Sequence, residues 1–141
     1  MERTPEIMTR IMKGVHSKNT RPEIKLRKAL WHLGVRYRIN YKRLMGKPDI
    51  AITRYKIAIF IDGDFWHGRN MEKIDAEIKN HREYWIPKLK NNQERDKEVN
   101  ERLTEEGWLV LRFWESDINR DLETCVKSVL SFLPKFMMIK Y

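Results

Sequence analysis

Apolar positions along the chain follow two rhythms, separated by short polar breaks. After Thr20, whose hydroxyl can cap a helix, Leu26, Ala29, Leu30 and Leu33 recur at helical spacing. They predict a helix to about His32 with one buried stripe, stopped by Gly34. Three strand candidates follow at Val35–Ile39, Asp49–Ile52 and Lys56–Ile61. The last two are rich in β-branched residues, and Thr53-Arg54-Tyr55 between them suggests a tight hairpin connection. Charge then dominates from Gly68 to Arg82 with weak periodicity, as in a surface loop.

A long helix is predicted from about Trp85, with Pro87 in its first turn, to Glu106, where Gly107 provides the stop. Trp85, Leu89, Asn92, Asp96, Val99 and Leu103 share one face of it. The run Trp108–Trp114 reads as a strand apolar enough to be central, and a last helix from near Asn119 should bury Leu122, Cys125, Val126, Val129, Leu130 and Leu133. Ahead of this body, Ile7, Met8, Ile11 and Met12 form a short helical segment that begins at Thr4-Pro5 and ends near Gly14. The expected organisation is an arm over residues 1–19 and one domain over 20–141. The fold class is α/β: helix, three strands, helix, strand and helix around a mixed central sheet.

The 141 residues suffice for one core, and no apolar stretch reaches bilayer length. With no signal-peptide pattern at the N-terminus, a soluble cytoplasmic protein is expected, without a membrane partner. Cys125 is the only cysteine, which excludes an internal disulfide and argues against a cysteine-based zinc site. The formal charge of +9 is unevenly spread: residues 1–47 carry 13 Lys/Arg against 3 Asp/Glu, and the remainder 16 against 17. A basic half of this kind captures phosphates by counterion release, so nucleic acid is the expected partner, with a merely well-solvated surface as the bland alternative.

The chemistry concentrates in Gly46-Lys47-Pro48-Asp49 and in Asp62-Gly63-Asp64-Phe65-Trp66-His67. Asp49 starts one strand and Asp62 closes the next, so a hairpin would bring both to one rim. Two carboxylates there offer hard oxygen ligands to Mg2+, whereas either alone is ordinary turn chemistry. Phe65 and Trp66 leave the sheet beside a basic surface, where they can stack on bases or plug the sheet's end. His67 suits a phosphate or leaving oxygen, or a backbone bond within a core. Asp96, directed inward, requires a donor, with His67 or an arginine from the first helix as candidates. Glu23 either closes a capping box with Thr20 or reaches water at the metal.

Taken together, Thr20-Arg21-Pro22-Glu23, Gly46-Lys47-Pro48-Asp49, Phe65-Trp66-His67, Glu83-Tyr84-Trp85, Asn92 with Glu94-Arg95-Asp96, and Gly107-Trp108 leading to Trp114-Glu115 resemble the very-short-patch-repair mismatch endonucleases. These are a branch of the PD-(D/E)xK nuclease superfamily, and the resemblance spans about residues 7–118. It implies a restriction-endonuclease-like fold and a bacterial nuclease that nicks one strand of double-stranded DNA next to a T:G mismatch. Asp49 would be the central Mg2+ ligand, assisted by the Ile61 backbone carbonyl, with Asp62 alongside and two ions accommodated. Glu23 would orient water, and His67, supported by Asp96, would act at the phosphate or leaving group. Phe65, Trp66 and Trp85 would form a wedge beside the mismatch. The arm with Met12 would grip the opposite groove, with Lys18, Arg21 and Lys47 as further DNA contacts. A monomer is expected, with mismatch-repair proteins as partners.

Two departures from the family pattern matter. Where zinc-bearing members have Cys and His ligands, this chain has Asp64, Arg69, Met71 and Ser116, so no structural zinc is expected and other contacts must hold the loop. Asp62 stands where well-known members have histidine, which leaves mechanism better supported than mismatch specificity. The alternatives are a restriction-type or structure-specific nuclease, a nuclease acting on RNA, and a non-catalytic DNA-binding module on the same fold.

Overall fold

The computed structural model describes residues 20–64 and 82–134, with side chains of the second segment from Ile86 onward. The arm with Met12 and Lys18, the Phe65-Trp66-His67 run, the loop before Arg82 and the Trp85 side chain lie outside the described residues. Helix α1 (Arg21–His32) precedes β1 (Arg38–Ile39) and β2 (Ile50–Ile52). A 3-10 turn (Thr53–Tyr55) leads to β3 (Ile57–Asp62), followed by α2 (Arg82–Glu105), β4 (Leu109–Trp114), α3 (Glu115–Arg120) and α4 (Leu122–Leu130). The strands form one mixed sheet in the order β1-β2-β3-β4, with β1, β2 and β3 antiparallel and β4 parallel to β3.

Strand alternation decides which helix covers which face. Ile57, Ile59 and Ile61 of β3 point to the side of α1 and α4, where Leu26, Leu30, Ile118 and Val129 close the main core. Ala58 and Phe60 point the other way, onto Val99 and Leu103 of α2. Burying each Leu or Ile of the main core stabilises the fold by about 1.5–3 kcal/mol. The long helix is consequently amphipathic on a narrow stripe: Leu89, Val99 and Leu103 are buried, whereas Asn92 and Asp96 sit half-buried at the sheet's end.

Several expectations are corrected. The Thr20 hydroxyl makes no capping hydrogen bond, so the capping box lacks one half; Pro22, in the first turn, removes a backbone donor and presets the helical φ. Leu33 is 38% exposed because it has already left the helix in the turn to Gly34. Pairing on β1 begins only at Arg38, whereas the tight hairpin between β2 and β3 is present, its connection a 3-10 turn closed by Lys56 at φ +53°. Strand β4 is not central but terminates the described sheet; its apolar residues are needed because helices lie on both faces. The predicted last helix is two, broken at Asp121, whose carboxylate caps α4 by accepting from the Thr124 N–H. Gly107, at φ +89°, ends α2 as expected, with the Trp108 N–H donating back to the Leu103 carbonyl.

Candidate active site

Antiparallel pairing of β2 with β3 places the start of one strand beside the end of the other, so Asp49 and Asp62 share a rim as the sequence implies. The approach to Asp49 is a forced turn. Gly46 (φ +79°) and Lys47 (φ +49°) both occupy the left-handed region, and Pro48 then sets the chain into the strand. Only glycine fits at 46, since a Cβ there would lie 2.7 Å from Val99 Cγ1 of α2. Lys47 holds a conformation that costs a non-glycine residue about 1–2 kcal/mol. The result is a fixed carboxylate: Asp49 Oδ2 accepts from the Ile61 N–H at 2.7 Å.

Around it lies a cavity of about 210 Å3 between the sheet's end, the start of α1 and the middle of α2. It gathers the carboxylates of Glu23, Asp49, Asp62, Asp96 and Glu115 with Lys47, Arg95 and Arg112. Glu23, Asp49, Asp62, Asp96, Lys47 and Ile61, named from the sequence, therefore converge, while Arg21 is exposed and outside the cavity lining. His67, Phe65 and Trp66 lie outside the described residues. Glu23 is only 2% exposed, and its Oε1 accepts from Arg27 Nη1 at 3.3 Å, one turn along α1.

Arg112 is the residue that sequence reasoning missed. From β4 its Nη1 donates to Asp62 Oδ1 at 2.9 Å and lies 3.6 Å from Asp96 Oδ1, while its Nε donates to Asn100 at 2.7 Å. The guanidinium rests 4.2 Å from the centroid of the Phe60 ring. Asp96 thus finds an arginine, but from β4 and not from the first helix. A signal existed: Arg112 alternates with Leu111 and Phe113 in an otherwise apolar strand, and a cation at such a position requires an anionic partner. Asp62 could join a metal site only by sharing its carboxylate with this arginine. At the rim, Asp64 accepts from both the backbone N–H and the hydroxyl of Ser116. These two bonds tie the end of β3 to the start of α3.

A fixed aspartate at a strand start, ringed by carboxylates and cations at the open end of a mixed sheet, suits phosphodiester chemistry. The family described as "DNA mismatch endonuclease Vsr" matches residues 3–73. The chain belongs to the Vsr family. It is 48% identical over 126 residues to the type II nicking enzyme V.NmeDIP of Neisseria meningitidis serogroup C, covering 89% of this chain and 85% of the relative. Identity is 46% over 121 residues with the type II nicking enzyme V.HpaIIP of Haemophilus parainfluenzae, covering 85% and 86%. With the DNA mismatch endonuclease Vsr of Escherichia coli it is 34% over 106 residues, covering 74% and 66%. The cavity of this Vsr-type DNA endonuclease is its candidate active site.

Proposed function

We propose that the chain hydrolyses one phosphodiester of double-stranded DNA beside a T:G mismatch, with Mg2+, on a PD-(D/E)xK-type site. The observation that carries this reading is the Asp49 carboxylate, fixed by the Ile61 N–H and sharing one cavity with Glu23 and Asp96. The donor set fits magnesium, which prefers hard oxygens and takes one or two carboxylates, leaving other positions to water and phosphate. Asp49 and the Ile61 carbonyl would hold it; when bound, it supplies positive charge to the scissile phosphate.

The chain's own residues perform the remaining tasks. Glu23, held by Arg27 at 3.3 Å, directs the attacking water toward phosphorus. Arg112 keeps Asp62 and Asp96 in place at the rim and offsets part of their charge. His67 delivers a proton to the leaving oxygen, and Phe65, Trp66 and Trp85 supply the wedge that opens the mismatched step; these roles follow from the family resemblance. Lys47, at the cavity mouth, meets the DNA backbone.

The test is strand-specific nicking of T:G and fully matched duplexes with and without Mg2+. Rapid nicking confined to T:G DNA, lost in Asp49→Ala, is the expected result; undiminished cleavage by that variant removes the assignment. A second reading, nicking without mismatch specificity, is favoured by the names of V.NmeDIP and V.HpaIIP, which state nicking alone. Equal rates on both duplexes would establish it.

A further inference from the structure

A second concavity, of about 830 Å3, runs along β1 and the face of α1 beside it. Arg27, Arg38, Lys42 and Arg43 line it, and among the described residues its lining includes no carboxylate side chain, although Arg27 pairs with Glu23 outside it. Trp31, 46% exposed, and Tyr41 contribute aromatic surface. The Arg36 guanidinium is fixed 3.8 Å over the Trp31 ring and donates to the Trp31 carbonyl at 3.0 Å. By contrast, three exposed cations elsewhere pair with acids on their own helix: Arg102 with Glu106, Arg120 with Asp117 and Lys127 with Glu123. Grouping cations without an acid repels in the isolated protein, and a polyanion relieves that repulsion by replacing condensed counterions.

The groove shares no lining residue with the cavity at Asp49, but hydrogen bonds link residues of the two. Arg27 reaches from it to Glu23. On the other side, the Asn40 and Tyr41 N–H groups donate to the Asp49 and Pro48 carbonyls, each at 3.0 Å. Residues of the cationic wall are thus bonded directly to Glu23 and Asp49, which line the cavity.

We propose that the β1 groove is a second DNA contact surface, gripping the sugar–phosphate backbone of duplex that flanks the cut site. It rests on the reading of the chain as a duplex nuclease and extends the footprint beyond the catalytic cavity. Arg38, Lys42 and Arg43 contact phosphates, so they contribute affinity and salt dependence independent of base sequence.

Equilibrium binding without divalent metal, measured across a salt series, tests this. Duplexes of about one helical turn and of more than two turns, each with a central T:G pair, separate flanking from central contacts. Arg38→Gln/Lys42→Gln/Arg43→Gln keeps part of the side-chain stems, and its urea midpoint verifies folding. For the long duplex this variant is expected to lose about tenfold or more in affinity, with a salt slope shallower by about two to three units. For the short duplex the loss should stay within about twofold, since the flanking phosphates are missing. The variant Arg102→Gln/Arg120→Gln/Lys127→Gln removes the same charge elsewhere and is expected to change the slope by well under one unit. Equal losses in the two triple variants, or an unchanged slope in the first while the unmodified protein binds, would overturn the groove alone. Absence of salt-dependent duplex binding by the unmodified protein would overturn the groove and the duplex-nuclease reading together.

Discussion

Replacing Arg112 by methionine keeps much of the side chain's volume but removes the charge that holds Asp62. The carboxylate is 8% exposed and the arginine 19%, so the pair is mostly buried yet touched by solvent. Breaking a fully buried pair costs about 3–5 kcal/mol, and partial wetting lowers that to about 2–3 kcal/mol. The lost Asn100 bond adds about 1 kcal/mol, whereas methionine retains contact with Phe60. A destabilisation of about 3 kcal/mol is expected, lowering Tm by about 6–12 °C. Urea unfolding of Arg112→Met, Asp62→Asn and the double variant is the assay. Once Asp62 is uncharged, losing Arg112 removes a cation only from the more exposed Asp96, at 3.6 Å, so the double variant should recover about 2 kcal/mol relative to the sum of the singles. A single-variant loss under about 0.5 kcal/mol, or strict additivity, would refute the argument that this ion pair fixes the rim.

Gly46→Ala combines a φ of +79° with a 2.7 Å approach to Val99, so it should destabilise by about 2–4 kcal/mol and slow nicking by displacing Asp49; unfolding and single-turnover rates measure both effects. Asp121 has its pKa lowered from 3.8, first by the Thr124 hydroxyl and then by the Thr124 N–H. Its contribution is present above the unfolded-state pKa and is lost as pH falls through the lower folded value, so Asp121→Asn should flatten the acid limb of the stability profile below about pH 4. Burial raises the Cys125 thiol pKa. Alkylation at pH 8 should therefore be slow in the native protein and rapid once urea unfolds it.

How far the site could be read depended on how local its causes are. Gly46-Lys47-Pro48-Asp49 announces a turn delivering an acid to a strand start, because glycine and proline constrain the backbone within a few residues. The rim shared by Asp49 and Asp62 followed from strand lengths and hairpin order. Glu23 was divided between cap and site by its sequence; in the fold the Thr20 side chain makes no capping bond and Glu23 lines the cavity. Arg112 was overlooked because a lone cation in an apolar strand has no partner in sequence: Asp62 lies 50 residues away and meets it only when β4 pairs with β3.

The sequence by itself determined the helix and strand segments, the asymmetric charge and the motifs that mark the family. These depend on periodicity, backbone restriction and residue chemistry, which act over a turn or a short run of chain. Only the tertiary structure decided that β4 terminates the described sheet, that Arg112 joins Asp62 to Asp96, that Asp64 clasps Ser116, and that Arg38, Lys42 and Arg43 line one groove with α1. The physical reason is that partner choice depends on strand order and register, which long-range packing of both sheet faces sets and no local pattern encodes.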